Sequence, residues 1–393
     1  MKDKIIKYTK KTLLWTLTPV LILVAGVALF MTLHPTFGDG PNVESLNKIS
    51  QSKHYHDGHF HNLVKTELMT ESDEDSYSIM DYFFPPEDKN PTKPLPSKKL
   101  ENNNIKNGTY TWLGHASFLM KTNDLTILTD PVFNGATPLP FGGKPFPIEH
   151  PIQIEHLPKV NIVVISHDHY DHLDYKGIKD FAQSVDMFFV PLGVKAHIMK
   201  WGVSEEKIIE MDWYENNRYK NLEFTLVPAR HFSGRRITDQ SSTLWGGWVL
   251  KSEDQNVYFS GDSGYFKEFK KIGEKYGPFD IAFIDTGAYN QAWATVHMMP
   301  EESVQASIDL KANVYFPIGW SKFDLAPHSW DDPIIRAVKE ATKKNVTITT
   351  PLIGETFTLD KLPQEQWWQG LRGTRSTNND SQKSSLLSSP TTI

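Results

Sequence analysis

The sequence predicts an α/β protein built as a four-layer αββα sandwich, with two mixed sheets face to face and helices outside. Three observations lead there. Short apolar runs of strand length alternate with helical stretches, and the series occurs twice along the chain. The 393 residues are 39% hydrophobic and 12% aromatic, enough for a sizeable core. Polar residues with chemistry to offer follow directly on several of the apolar runs, where such a fold gathers its strand ends.

The chain opens with Lys2, Lys4, Lys7, Lys10 and Lys11, opposed only by Asp3, and residues 12–33 then carry no charge. At about 1.5 Å per residue that stretch spans roughly 33 Å, the thickness of a bilayer core. It reads as a single-pass membrane anchor covering residues 1–34. The flanking lysines put its N-terminus in the cytoplasm and the remaining chain outside. A cleaved signal peptide is the competing reading; the run is longer than a usual signal core, and Gly26-Val27-Ala28, its small-x-small triplet, lies inside it.

Residues 35–104 are polar and rich in Pro, Lys, Glu and Asn, and read as an extended connecting arm. Their histidines (His54, His56, His59 and His61) follow no buried strand, so they read as part of the arm rather than as a metal site. A compact domain is expected over 105–362. Strands are expected at 109–113, 117–121, 126–129, 161–165 and 188–190, with helices at 175–184 and 194–201. The second series has strands at 223–227, 243–250, 257–260, 281–284, 314–318 and 347–349, and helices at 266–276, 300–310 and 333–343. Residues 363–393 hold Trp367-Trp368 and then a Ser/Thr/Asn-rich tail expected to lack order.

The densest chemistry is Ile165-Ser166-His167-Asp168-His169-Tyr170-Asp171-His172-Leu173-Asp174. Imidazole nitrogens and carboxylate oxygens are the usual protein ligands of zinc. The spacing suggests His167 and His169 on one ion, with Asp171 and His172 turned toward a second. Two such ions can generate hydroxide near neutral pH and clamp the oxygens of a displacement. His231 and Asp262 stand at similar strand ends farther along. With no cysteine, any metal must rest on His, Asp or Glu. The net charge of −6 provides no basic footprint for nucleic acid.

These residues carry a family resemblance. The chain resembles metallo-β-lactamase-fold hydrolases, and within them the N-acyl-phosphatidylethanolamine-hydrolysing phospholipase D group and its bacterial relatives. The likeness rests on Trp112-Leu113-Gly114-His115-Ala116, Thr129-Asp130-Pro131, the histidine loop, Leu244-Trp245-Gly246 and Gly261-Asp262-Ser263-Gly264-Tyr265. It implies two zinc ions. His167, His169 and His231 would hold the first, Asp171 and His172 the second, and Asp262 would bridge them. Asp130 would orient a ligand imidazole, His115 would support the site from a neighbouring turn, and His297 would stand near the substrate. Asp171, Asp262 and His297 are the residues expected to take part in catalysis.

One position departs from the family. Where relatives have Ile-His-Trp-Gly, with a histidine on the second zinc, this chain has Ile318-Gly319-Trp320-Ser321. His328 lies nearby, but relatives carry it in addition to the missing ligand.

The anchor and the resemblance together point to a membrane-anchored, metal-dependent phosphodiesterase acting on a phospholipid such as an N-acyl phosphatidylethanolamine. Phe133, Leu139, Phe141, Phe146 and Trp320 could line an acyl groove, but for any one of them ordinary core is the favoured reading. The alternatives are a metallo-hydrolase of a lactone or other small ester, and a binding protein whose catalysis is impaired by Gly319. The sequence leaves self-association open.

Overall fold

The computed structural model describes residues 2–70, 88–139 and 142–371. Helix α1 (Lys2–Leu33) stands away from the domain, and its side chains from Trp15 to Leu29 are exposed. Trp15–Leu33 is long and apolar enough to cross a membrane. A single 3-10 turn (Pro35–Phe37) then carries the chain onto the domain, with Phe37 buried.

The arm is more structured than an extended connector. It forms helix α2 (Val43–Gln51), N-capped by the Asn42 side chain, and a hairpin of β1 (Tyr55–His56) and β2 (His59–Phe60). Ile49, Phe60 and Leu95 are buried in the main core. His56, His59 and His61 are exposed, and the rings of His56 and His61 stack on each other.

The domain holds two mixed sheets. In the first, β3 (Thr109–Trp112), β4 (Phe118–Thr122), β5 (Leu125–Thr129), β6 (Ile162–Val164), β7 (Met187–Pro191) and β8 (Ile208–Met211) lie in that order. A last strand, β15 (Thr356–Thr358), adds beside β3. In the second sheet β9 (Asn216–Tyr219), β10 (Leu222–Val227), β11 (Gly247–Lys251), β12 (Asn256–Phe259), β13 (Ile281–Asp285) and β14 (Tyr315–Ile318) follow one another. Helices α3 (Tyr175–Phe181) and α4 (Val194–Lys200) belong to the first half. Helices α5 (Glu268–Tyr276), α6 (Pro300–Asp309) and α7 (Asp332–Lys343) belong to the second.

Pairing fixes which strand ends meet. β5 to β8 run parallel, and two antiparallel steps return β3 to the same direction. In the other sheet β10, β12, β13 and β14 share one direction by the same reasoning. Their carboxyl ends gather at one edge of the sandwich, where ligands bind in open α/β sheets. Between the sheets lies an aromatic core in which Phe118 stacks on Phe283, and Phe189 on Phe224.

Two expectations need correction. Residues 347–349 form no strand, and only the bridge from Tyr315 to Ile348 remains of it. The segment after 362 packs on the domain as far as Leu371; Trp367 and Trp368 are buried and contact Trp320. Of the residues that could have lined a groove, Trp320 and Phe146 belong to the core, Phe133 packs against Phe181, and Leu139 is exposed. Phe141 and residues 372–393 lie outside the described residues.

Candidate metal centre

Strand ends deliver the site, except for His297, which lies in the loop just before α6. β3 runs into the turn holding His115, β5 into Asp130, β6 into the histidine loop, β10 toward His231, and β12 into Gly261-Asp262. Gly261 has φ +57°, and a Cβ there would lie 2.5 Å from the Ser166 Cβ, so the turn that presents Asp262 requires glycine.

Three imidazoles converge first. His169 Nδ1 lies 2.9 Å from His167 Nε2 and 3.2 Å from His231 Nε2. Their other nitrogens fix the tautomers inferred from the hydrogen-bond partners. His231 Nδ1–H donates to the Val296 carbonyl at 3.0 Å. Ser166 Oγ donates to Asp130 Oδ2 and accepts from His167 Nδ1–H at 2.9 Å. Both Nε2 atoms are therefore left as lone pairs facing His169. Burial first, and neighbouring imidazoles second, hold His167 and His231 well below the usual histidine range.

A second convergence lies alongside. His172 Nε2 is 3.0 Å from Asp262 Oδ2 and 3.5 Å from Asp171 Oδ2, while His172 Nδ1–H donates to Asp130 Oδ2 at 2.7 Å. His115, expected as a support, reaches into this group: its Nε2 is 3.1 Å from Asp171 Oδ2 and 3.3 Å from His172 Nε2. Burial opposes protonation of His172, but Asp262, Asp171 and Asp130 prevail and raise it well above the ordinary range.

Both groups suit a divalent ion. Bonds of about 2.0–2.1 Å in tetrahedral geometry set ligand atoms roughly 3.3 Å apart. The measured separations of 2.9–3.5 Å bracket that value.

His297 faces the same space, its Nε2 4.0 Å from Asp262 Oδ2. Its Nδ1–H donates to Asp285 Oδ2 at 3.0 Å. Burial lowers His297, but Asp285 and then Asp262 overcome it and push it up to about 9. Asp285, at the end of β13, was not anticipated from sequence, although it terminates an apolar strand much as Asp262 follows one. Burial and the charge of Asp262 raise its carboxyl to about 6.

Gly319 follows β14 with φ +85°, and a Cβ added there would meet Asp285 Oδ1 at 2.9 Å. His328 does not join the cluster; it stacks on Tyr289 and bonds the Ser329 carbonyl.

Other supports also escaped the sequence reading. Buried Asp168 accepts from the Gly234 N–H at 2.7 Å and from Thr243 Oγ1 at 2.9 Å, pinning the histidine loop to the segment after His231. Asn62, in the arm, brackets the His231 backbone: its Nδ2 donates to the His231 carbonyl at 2.7 Å, and its Oδ1 accepts from the His231 N–H at 3.1 Å.

Comparison with known proteins agrees with this architecture. The profile of the β-lactamase superfamily domain matches residues 126–320. The chain belongs to the metallo-β-lactamase superfamily, a group of metallo-hydrolases. It is 36% identical over 364 residues to an uncharacterized protein of Mycobacterium tuberculosis, covering 88% of this chain and 96% of that one. It is 35% identical over 228 residues to N-acyl-phosphatidylethanolamine-hydrolyzing phospholipase D 1 of Caenorhabditis elegans. That alignment covers 55% of this chain and 64% of the worm protein, just under two thirds. A metallo hydrolase of Ignicoccus hospitalis shares the fold, with a TM-score of 0.50 at 22% identity over 63% of this chain and 97% of that one.

Proposed function

We propose that the protein is a metal-dependent phosphodiesterase that hydrolyses membrane phospholipids of the N-acyl phosphatidylethanolamine type. The observation that carries this reading is the pair of adjacent donor groups, with Asp262 between them, at the strand ends. His167, His169 and His231 would hold one ion; His172, Asp171 and Asp262 would hold a second, with zinc the metal expected from the all-His/Asp donors. Ions bound there lower the pKa of water and neutralise charge on phosphoryl oxygens.

The protein's own groups supply the rest. Asp130 and the Val296 carbonyl fix the imidazoles that face the ions. His297, protonated and held by Asp285, stands where it can donate a proton to the departing alcohol oxygen. Water adds to phosphorus, the P–O bond to the ethanolamine oxygen breaks, and the proton from His297 Nε2 leaves with the N-acylethanolamine. Phosphatidate is the second product.

A cavity of about 450 Å³ supports a lipid substrate. It lies between the foot of α1, through Phe30 and His34, and the outer side of the histidine loop, through Tyr170 and Leu173. Lys144 and Lys176 also border it, so apolar surface and positive charge sit together beside an apolar helix. Tethering near a bilayer would raise the local concentration of such a substrate.

The test is turnover of N-acyl phosphatidylethanolamine vesicles by the full chain, with and without a chelator, beside His231→Gln. The reading predicts activity that chelation abolishes, that a divalent ion restores, and that His231→Gln lacks. Full activity in the chelator, or in the variant, would overturn it.

A further inference from the structure

We infer that His115 is itself a ligand of the second metal ion, at a site to which Gly319 contributes no side chain. The inference rests on the metal-dependent reading above and assigns that site a donor from a different part of the chain: the β3–β4 turn rather than the end of β14.

The donor geometry carries it. His115 Nε2, Asp171 Oδ2 and His172 Nε2 form a closed triangle with separations of 3.1, 3.3 and 3.5 Å, and Asp262 Oδ2 lies 3.0 Å from His172 Nε2. The edges of the triangle bracket the roughly 3.3 Å edge of a tetrahedral zinc site. His172 has committed its Nδ1–H to Asp130, so its Nε2 meets two carboxylate oxygens through either a second proton or a cation. A single Nε2–H on His115 serves either Asp171 or His172, not both. An ion meets all three atoms of the triangle at once.

The backbone points the same way. His115 has φ +54°, a left-handed conformation held by few non-Gly residues, among which His, Asn and Asp are enriched. Such outliers persist where the surroundings hold them, and they concentrate at functional sites. Here the Leu113 N–H bonds the Ser117 carbonyl, Trp112 Nε1 bonds the His115 carbonyl, and Lys322 Nζ bonds the Leu113 carbonyl. The turn thereby aims the ring at Asp171 and His172, with Phe323 packed across it. The converging Nε2 is the end of the ring with polar neighbours, whereas the buried Nδ1 has no hydrogen-bond partner and does not orient the ring as the other nitrogen of a metal-bound histidine usually does.

Residue 319 itself is poorly placed to add a donor. Its Cβ direction leads into Asp285 Oδ1, the carboxylate that holds His297. An imidazole on that backbone would have to displace Asp285 before reaching any ion.

The experiment is cobalt(II) titration of the metal-stripped full chain in detergent, read by visible absorption and by bound metal after desalting. The variants are His115→Asn, which tolerates the left-handed backbone, and His115→Gly, which adopts it freely. Wild type is expected to retain two ions. Both variants should keep the first and bind the second at least about 100-fold more weakly, beyond the loss usual for an outer partner of a ligand. Free imidazole should restore the second ion and its absorption band in His115→Gly, which a purely structural histidine would not do. Two ions held with unchanged affinity in both variants would overturn the inference and leave the metal-dependent reading standing. One ion in wild type, lost in His231→Gln but not in His115→Asn, would do the same. No ion in wild type would overturn the metal-dependent reading itself.

Discussion

Gly319→His is the substitution that restores the family's ligand, and the structure predicts that it harms the protein. Residue 319 sits at φ +85°, where a side chain costs about 1–2 kcal/mol. Its Cβ would lie 2.9 Å from Asp285 Oδ1 and 3.1 Å from the Gly287 nitrogen. Asp285 is buried, so relieving the contact means turning a carboxylate that accepts from His297 at 3.0 Å and from the Ser263 N–H at 3.2 Å. Weakening those bonds adds about 0.5–1.5 kcal/mol each. The total of roughly 2–5 kcal/mol corresponds to a fall in melting temperature of roughly 4–20 °C for a domain of this size. Differential scanning calorimetry of the metal-free chain measures it directly. Gly319→Ala, which shares the backbone and Cβ terms, should show most of the loss. A Gly319→His chain that melts like wild type and binds its second ion more tightly would refute the steric reasoning.

Three further outcomes follow from particular contacts. Asp130→Asn removes the carboxylate that receives His172 Nδ1–H and the Ser166 N–H, and should weaken metal binding about 10–100-fold in competition with a chelator. Lys322 is buried, which lowers its ammonium from 10.5 to about 8, and its Nζ bonds the Leu113 and Val132 carbonyls. Between those values the unfolded chain binds the extra proton, so stability rises with pH. Wild type should therefore gain on Lys322→Met by about 1.4 kcal/mol per pH unit between roughly pH 8 and 10 in paired denaturant titrations; a constant difference would contradict the assignment. Removing residues 2–29 deletes most of α1, whose side chains from Trp15 to Leu29 are exposed, and should leave the melting temperature within about 2 °C while abolishing sedimentation with vesicles.

The histidine loop was legible because its donors are contiguous and follow an apolar strand. His231 and Asp262 were legible because each follows a strand run of its own. What stayed hidden depends on tertiary approach. Nothing local marks Asn62 as the residue that grips the His231 backbone, and the role of His115 emerges only when the β3–β4 turn meets the loop after β6. Strand β9 went unforeseen because Asn216–Tyr219 is a largely exposed edge strand with almost no apolar signal. The arm misled for a related reason. Ile49, Phe60 and Leu95 are single apolar residues in polar surroundings, and only the domain they dock against makes them core. For Trp320 and Phe146 the sequence left groove or core open and favoured core, and packing between the sheets decides for it.

The central claim is attack of water at phosphorus in a membrane phospholipid. The most direct measurement is turnover of N-acyl phosphatidylethanolamine vesicles in ¹⁸O-water by the metal-loaded full chain, with mass spectrometry of the products. The account predicts one ¹⁸O atom in the phosphatidate and none in the N-acylethanolamine. Label in a released fatty acid, or no turnover by a chain carrying both ions, would contradict it.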